Sequence, residues 1–251
     1  MLKKIKIGLR IIYYFLNSIH AAKKSKFYSS EETIEYILKY KKSLIRMGDG
    51  EFAIMSGRNI AYQQYSEQLK ESLQEIIEDY IKNPNNCSYL LAMPGIFLTC
   101  NGLLLLKNKN YIKAWPSARY EFKKKYDFPV TYGDAFIFAK DNVKLYEKLW
   151  SHKNIEHIIF VHNKNDYAIK FQNMYGKEVT YIKVPDKNSF EMRDQILRNI
   201  LSTVFSYKRD KTLILISAGP CSKYLVKQLS DAGIIAIDTG HCWDNPLSTR
   251  K

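Results

Sequence analysis

Two carboxylates, one arginine and two glycines follow a short apolar stretch of the chain within six positions. Asp49 and Glu51 have D-x-E spacing, and such a pair can share one divalent cation because hard cations take oxygen ligands. Arg46 suits a phosphate group, since its planar guanidinium donates two parallel hydrogen bonds. Gly48 and Gly50 let the backbone turn sharply and approach a ligand closely. The segment predicts a metal–diphosphate site at the end of a strand; a plain Gly-Asp-Gly turn is the structural alternative.

Two further polar segments follow predicted strands near the C-terminus. In the first, Gly219, Pro220 and Ser222 form a strand-to-helix turn. Its backbone N–H groups and serine hydroxyl can bind phosphate, whereas an ordinary loop with a proline in the first helical turn is the alternative. In the second, Asp238 and His241 can perform acid/base chemistry or hold a sugar hydroxyl. A turn aspartate and a structural histidine are the alternative.

Three other segments add candidates for substrate binding. Tyr62, Gln63 and Tyr65 offer aromatic and amide groups soon after the acid pair. Asp134 adds a carboxylate, with a plain turn as its structural alternative. Asn188 lies at a polar tip before a predicted helix, where N-capping is the structural interpretation.

Short apolar strands that alternate with helices must position these residues. The predicted strands are 43–46, 88–93, 157–161, 179–184, 212–217 and 234–237. The predicted helices are 29–40, opened by a capping box, then 66–82, 97–106, 110–126 with a break near Trp115-Pro116, one from 166, 189–207 and 221–232. This alternation predicts an α/β fold with a mostly parallel sheet and helices on both faces. Ligands of such sheets bind outside the carboxyl ends of the strands, where the polar segments lie.

Residues 1–26 form a separate segment, which precedes one predicted domain over residues 27–251. The segment reads as a basic amphipathic helix without any acidic residue, too short and too charged to span a bilayer and without a cleavage site. We predict a helix lying on an anionic membrane surface; a helix packed on the domain is the alternative. Its apolar face comprises Ile5, Leu9, Ile12, Leu16 and Ile19, opposite Lys3, Lys6, Arg10 and Asn17.

The net charge of +14 predicts attraction to anions such as lipids, nucleotides or nucleic acid. No Lys/Arg run is interleaved with aromatic residues, so nucleic acid is not an expected partner. The four cysteines form no C-x-x-C pair, which argues against a zinc site and favours thiols in a reducing compartment.

In order along the chain, four stretches resemble the motifs of the GT-D type glycosyltransferases, a family of bacterial sugar transferases. Together they cover most of residues 43–242. They are Arg46–Glu51 for R-x-G-D-G-E, Tyr62–Leu69 for Y-Q-x-Y-x-x-x-L, Pro185–Leu197 for P-x-x-N-A-F…D-x-I-L, and Gly219–His241 for G-P…D-x-G-H.

The chain also departs from the pattern of that family. Where the family has Ser-Arg, E-G-x-x-S-R and Ile-Asp-x-Glu-Tyr, this chain has Phe138-Ala139, His162–Asp166 and Cys242–Asn245. Two arginine-bearing stretches are therefore replaced, and Arg119 or Lys140 is predicted to supply the missing charge.

The resemblance implies a Rossmann-like, metal-dependent glycosyltransferase that moves a sugar from a nucleotide diphosphate sugar, with a UDP-sugar as donor. The acceptor would be a glycan or lipid-linked glycan in cell-surface polysaccharide or glycoconjugate synthesis, at the cytoplasmic face of the cell membrane. Mn²⁺ or Mg²⁺ on Asp49 and Glu51 would stabilise the leaving diphosphate. Arg46 and the Gly219 turn would share that charge, and Asp134, Asp238 and His241 are candidate bases.

Two other functions compete with this interpretation. The first is a non-catalytic, membrane-associated protein that binds nucleotides or glycans, which the replaced arginine stretches motivate. The second is a metal-dependent phosphoesterase, which would need more metal ligands than the motifs supply.

Overall fold

The computed structural model describes residues 2–244, and for residues 2–7 it describes the backbone alone. Within that range, the strands in chain order are β1 (Lys26–Phe27), β2 (Ser43–Arg46), β3 (Tyr89–Met93), β4 (Thr131–Asp134), β5 (His157–His162), β6 (Glu178–Lys183), β7 (Thr212–Ile216) and β8 (Ala236–Asp238). They form one parallel sheet in the order β1-β4-β3-β2-β8-β7-β5-β6.

Helices flank this sheet. They are α1 (Leu2–Asn17), α2 (Ser30–Tyr40), α3 (Asp49–Met55), α4 (Glu67–Lys82), α5 (Gly95–Thr99), α6 (Lys109–Lys125), α7 (Val143–Tyr146), α8 (Lys148–Ser151), α9 (Asn165–Tyr175), α10 (Arg193–Val204) and α11 (Cys221–Asp231). Short 3-10 helices cover Gly102–Lys107, Lys140–Asn142, Ser189–Met192, Arg209–Lys211 and Cys242–Asp244.

The central strands are buried along their whole length, as is typical of a parallel sheet. Every residue of β3, β5 and β7 is buried, as expected when helices cover both faces. The predicted α/β class with a mostly parallel sheet is confirmed. The capping box at Ser29 is present as well, because its hydroxyl accepts from the Glu32 N–H and the Glu32 carboxylate accepts from the Ser29 N–H.

The sequence-based elements differ from the structure in several places. The predicted helix over 97–106 is instead α5 followed by the 3-10 helix Gly102–Lys107. The predicted break at Trp115-Pro116 is wrong, since α6 continues through Pro116 while its buried face packs on the core. Asp134, for which a plain turn is the structural alternative, ends strand β4, and a turn follows at residues 135–138. A Cβ on Gly133 would lie 3.0 Å from Leu90 Cδ2, so glycine allows close pairing with β3 where a strand pattern would show a larger residue.

The N-terminal segment is helical over Leu2–Asn17 and not up to residue 26 as predicted, and the second half of this helix packs on α6. The Tyr13 and Tyr120 hydroxyls lie 3.3 Å apart, and Lys123 Nζ donates to the Asn17 carbonyl at 2.7 Å. Of the predicted apolar face, Leu9, Ile12 and Leu16 stay exposed, whereas the side chains of Lys3, Ile5 and Lys6 lie outside the described residues. None of the helices within residues 2–244 is both long and apolar enough to cross a membrane.

Candidate functional site

One cleft of about 430 Å³ opens at the carboxyl ends of the central strands. Residues that follow β2, β5, β7 and β8 line it, together with Tyr62 on one wall and Trp115 and Phe136 on another. The direction in which successive strands are added to the sheet reverses beside this cleft, because β5 connects outward to β6 whereas β7 connects back to β8. The crevice between two such strands is the usual ligand site of an open α/β sheet.

Arg46 closes the floor of the cleft at the end of β2. Its Nε donates to the Asp238 carbonyl and its Nη1 to the Ala135 carbonyl, each at 2.8 Å. The guanidinium lies 5.0 Å from the centre of the Phe138 ring. These contacts fix the orientation of a cation that lines the cleft, so an anion would meet a preformed charge.

Gly240 leaves the space that this guanidinium fills. A Cβ at Gly240 would lie 2.1 Å from Arg46 Nη2, and the glycine has φ +52°. We expect Gly240→Ala to lower the free energy of unfolding by about 3 kcal/mol or more, because positive φ and displacement of Arg46 act together. Urea unfolding of the parent and of the variant measures this effect.

Gly176→Ala is the matched control, since Gly176 has φ +62° with nothing within 4 Å of the added Cβ. This control variant has the backbone strain of positive φ alone, which should lower the free energy of unfolding by about 1 kcal/mol. Equal losses of stability in the two variants would show that Arg46 can move away from the added Cβ of residue 240 without cost.

A buried lysine joins two acidic residues beneath the cleft. Lys223 Nζ lies 3.0 Å from Glu51 Oε1 and 3.0 Å from Asp238 Oδ2, and all three side chains are buried. Burial alone would lower the pKa of Lys223, but the charges of Asp238 and Glu51 outweigh it and raise that pKa. The ammonium group of Lys223 therefore stays charged between the two acidic side chains.

Glu51 is consequently engaged on both oxygens. Besides Lys223, it accepts from the Gly48 N–H at 2.8 Å through Oε2, which closes the first turn of α3. Asp49 is the first residue of the same helix and lines the cleft with its side chain exposed. Partial desolvation of the Asp49 carboxyl group by the cleft, together with the negative charge of the neighbouring Glu51, raises the pKa of Asp49. A bound cation would offset both effects.

The carboxylates at this site fit a divalent cation, but Asp49 alone of the predicted pair would contact it directly. Mg²⁺ and related cations often take one or two protein carboxylates and complete their shell with phosphate oxygens and water. Asp49 meets that need, and Glu51 lies behind it. Across residues 2–244, no group of three or more His, Cys, Asp or Glu side chains is arranged to hold a metal by itself.

His162 is a cleft residue that the sequence motifs did not single out. It ends β5 and is 7 % exposed, and its Nδ1 accepts from the Lys164 N–H at 2.9 Å. Burial lowers its pKa to about 4, so the ring is neutral near pH 7 with its proton on Nε2. His162 is therefore a fixed hydrogen-bond donor at the point where the motif of the resembled family is replaced.

Lys223 was also missed, although it follows the predicted phosphate turn by one position after Ser222. A lysine in the first turn of a helix after Gly-Pro was the available signal. The Ser222 hydroxyl is not exposed to the cleft, because it is buried and accepts from the Ala218 N–H at 2.8 Å. Pro220 precedes α11 and does not line the cleft.

Of the predicted site residues, the structure brings together Arg46, Gly48, Asp49, Gly50, Glu51, Tyr62, Gly219 and His241 along the cleft. Asp238 is fully buried beneath them and paired with Lys223. A Cβ on Gly219, which has φ +57°, would lie 2.9 Å from the Tyr62 ring, so the tyrosine packs directly on this turn.

Three predicted residues close to Tyr62 in the sequence or in space do not line the cleft, and Asn188 holds the Tyr62 backbone. Asn188 donates its N–H to the Tyr62 carbonyl at 2.9 Å and accepts from the Gln64 N–H at 2.8 Å. Gln63 is buried and accepts from the Phe190 N–H at 3.3 Å. The Tyr65 hydroxyl donates to Glu67 outside the cleft.

Three other predicted residues lie away from the cleft, and two of them are held there by other groups. Arg119 is fully buried and donates to the carbonyls of Ser18, Ile19, Phe97 and Cys100, which joins the end of α1 to the core. Asp134 accepts from the Ser30 hydroxyl at 2.5 Å and the Phe136 N–H at 2.8 Å. Lys140 is exposed and does not line the cleft, so neither Arg119 nor Lys140 replaces the missing arginines there.

Comparison with known proteins supports the resemblance. The model of the family described as "Glycosyltransferase GT-D fold" matches residues 44–245. A Streptococcus gordonii protein named "Probable glycosyl transferase Gly" is 23% identical over 233 residues, 85% of this chain and 31% of the relative. "Glycosyltransferase GlyD" of Streptococcus pneumoniae serotype 4 (strain ATCC BAA-334 / TIGR4) is 43% identical over 47 residues, 19% of this chain and 6% of the relative.

Solved structures show the same fold. A selenomethionine-substituted structure of domain of unknown function 1792 has a TM-score of 0.70 and 25% identity, covering 92% of this chain and 82% of that one. A structure described as a new glycosyltransferase from Streptococcus sanguinis has a TM-score of 0.71 and 23% identity, covering 86% of this chain and 81% of that one. The family model spans most of the chain and the cleft carries its motifs, so the chain belongs to the family of glycosyltransferases with the GT-D fold.

Proposed function

We propose that the protein transfers a sugar from a nucleoside diphosphate sugar, with a UDP-sugar as donor, and that it depends on Mn²⁺ or Mg²⁺. One observation carries the proposal: Asp49, Arg46 and the Gly219 turn meet in a single cleft beside the point where the strand order reverses. A carboxylate that can share a cation, a fixed guanidinium and a turn at a helix start are together suited to a diphosphate.

Each residue has a distinct part in this reaction. The cation would supply Lewis-acid stabilisation of the leaving diphosphate. Asp49 would hold that cation, and Arg46 would contact the diphosphate oxygens from the floor of the cleft. Lys223 and Glu51 would hold Asp49 and the first turn of α3 in position, since their ion pair lies directly beneath it.

His241 is the candidate base for the acceptor hydroxyl. It lines the cleft with an 82% exposed side chain, and its Nδ1 lies 3.2 Å from Asp244 Oδ2. The Tyr167 hydroxyl donates to the other oxygen of Asp244 at 2.9 Å and thereby orients its carboxylate. The carboxylate in turn orients the imidazole of His241. Asp238, by contrast, is buried and ion-paired, so we assign it a positioning part.

The proposed acceptor is a glycan, either lipid-linked or at the cell surface, in polysaccharide or glycoconjugate synthesis. The proposed location is the cytoplasmic face of the cell membrane. The exposed apolar residues of α1 and the net charge of +14 support this location, because both favour an anionic lipid surface.

A thermal-shift screen tests the donor and the cation together. We expect a UDP-sugar with Mn²⁺, at about a hundredfold excess over its Kd, to raise the unfolding midpoint by about 5–10 °C. GDP-, dTDP- and CMP-sugars should give smaller shifts, and omission of Mn²⁺ should reduce the shift from the UDP-sugar.

No shift with any nucleotide sugar would contradict the proposal. A shift without sugar transfer or donor hydrolysis would instead favour the non-catalytic binding protein. The two results are separable because binding is measured on the folded protein and transfer by product formation.

A further inference from the structure

A row of exposed leucines lies on the 3-10 helix Gly102–Lys107. Leu103, Leu104 and Leu106 are 52%, 47% and 60% exposed, whereas Leu105 is 2% exposed and anchors the helix in the core. Such a run exposes aliphatic surface at neighbouring positions, which is unusual for a surface that faces water alone.

The end of α1 lies beside this 3-10 helix. The Gly102 N–H donates to the Ile19 carbonyl at 2.8 Å, and a Cβ on Gly102 would lie 2.8 Å from Ile19 Cα. Arg119 binds carbonyls from both segments and fixes one against the other. The exposed residues of the two segments are called here the leucine surface: Leu9, Ile12 and Leu16 from α1, and Leu103, Leu104 and Leu106.

The charged residues of the two stretches that supply the leucine surface all have one sign. No Asp or Glu occurs in residues 1–30 or 80–120, the two stretches that supply it. Arg10, Lys107, Lys109 and Lys113 are exposed there. The nearest acids along the chain are engaged: Glu121 pairs with Lys125, and Asp127 accepts N–H groups of residues 23–25.

An anionic lipid surface fits this combination better than a second copy of the chain. Apolar side chains with surrounding lysines bind the interface of an anionic bilayer through burial and charge attraction together. Two copies that met through this surface would bring their own positive charges together, which opposes dimerisation.

The chain just before the 3-10 helix of the leucine surface packs on the apolar wall of the cleft. Phe97 of α5 stacks on Trp115 at 4.0 Å, and Trp115 lines the cleft with Phe136. Ile96, the neighbour of Phe97, is 69% exposed. We propose that the leucine surface docks on an anionic bilayer and presents this wall of the cleft to a membrane-embedded acceptor; the second half of this statement rests on the proposed function.

The test is co-sedimentation of the full chain with vesicles of phosphatidylcholine and phosphatidylglycerol. Leu103→Gln, Leu104→Gln and Leu106→Gln combined should weaken the partition coefficient by about tenfold or more, because less apolar surface enters the interface. Binding of the parent should fall in vesicles of phosphatidylcholine alone and at high salt. Truncation is less suitable, since residues 18 and 19 supply carbonyls that hold Arg119.

The matched control combines Leu38→Gln, Ile169→Gln and Phe205→Gln, three exposed apolar residues on α2, α9 and after α10. It should bind vesicles like the parent. Equal binding by parent and leucine variant would overturn the proposal, as would a lipid-free dimer that the leucine variant converts to monomer. Donor hydrolysis in solution should be unchanged in the leucine variant, so failed docking and failed transferase activity are separate results.

Discussion

Lys223→Met is expected to lower the free energy of unfolding by about 3–5 kcal/mol, because it leaves two buried carboxylates without their shared cation. Lys223 lies 3.0 Å from both Glu51 and Asp238, and the variant keeps the length of the side chain while removing its charge. Turnover should fall by about a hundredfold or more where the variant is folded, since the first turn of α3 then loses its support. Urea unfolding and steady-state transfer at saturating donor measure the two effects.

Lys227→Met is the matched control one helical turn later on α11. Lys227 Nζ lies 2.6 Å from Asp231 Oδ2 and 3.3 Å from Asp79 Oδ2, and both partner carboxylates are exposed. Exposed ion pairs are worth about 0–1 kcal/mol, so this variant should remain near the parent in stability and activity. A loss of stability in Lys223→Met no larger than in the control would refute the ion-pair argument.

A double variant keeps the prediction testable if Lys223→Met folds poorly. Adding Glu51→Gln removes one of the two uncompensated charges and retains a hydrogen-bond acceptor for the Gly48 N–H. We expect the double variant to be more stable than Lys223→Met alone, a coupling that a double-mutant cycle measures directly. Additive losses would mean that Lys223 stabilises the fold by packing alone.

The sequence predicted the central strands and their polar ends because both depend on local pattern. Runs such as those in β5 and β7 are apolar throughout, and a buried parallel strand requires that composition. β1 escaped prediction because it has two residues and no pattern of its own. β4 escaped because the glycine that permits its close pairing resembles a turn signal.

The charged residues of the site were harder to predict, since burial decides their roles and sequence does not reveal burial. Lys223 was overlooked because lysines are usually exposed, and the pairing of three charged groups is a tertiary event. The charge of Arg119 suggests a substrate ligand, yet its guanidinium donates hydrogen bonds to backbone carbonyls inside the protein. The D-x-E motif is visible in the sequence, but the sequence does not show that Asp49 faces the cleft whereas Glu51 is buried against Lys223.

That difference between the two acids gives the second large prediction. Asp49→Asn should lower turnover by about a hundredfold or more and leave the fold intact, because Asp49 is exposed in the cleft and a Lewis-acid contribution is worth several kcal/mol. It should also weaken Mn²⁺ binding in the presence of UDP, which isothermal titration measures without any turnover.

Glu51→Gln should behave differently, since its carboxylate is bound to Lys223 and to the Gly48 N–H. We expect a loss of about 1–3 kcal/mol in the free energy of unfolding with little change in Mn²⁺ affinity. Asp141→Asn, an exposed carboxylate outside the cleft, is the control and should change neither quantity.

The two variants together decide how many protein carboxylates hold the cation. If Asp49→Asn and Glu51→Gln weakened Mn²⁺ binding equally while Glu51→Gln kept its stability, Glu51 would be a direct ligand and Lys223 would have to move aside on binding. If neither variant altered Mn²⁺ binding, the cation would lie elsewhere, and Arg46 with Lys223 would carry the diphosphate charge alone. Our expectation of unequal effects follows from one structural fact: Lys223 already neutralises Glu51, whereas Asp49 faces the cleft with a raised pKa.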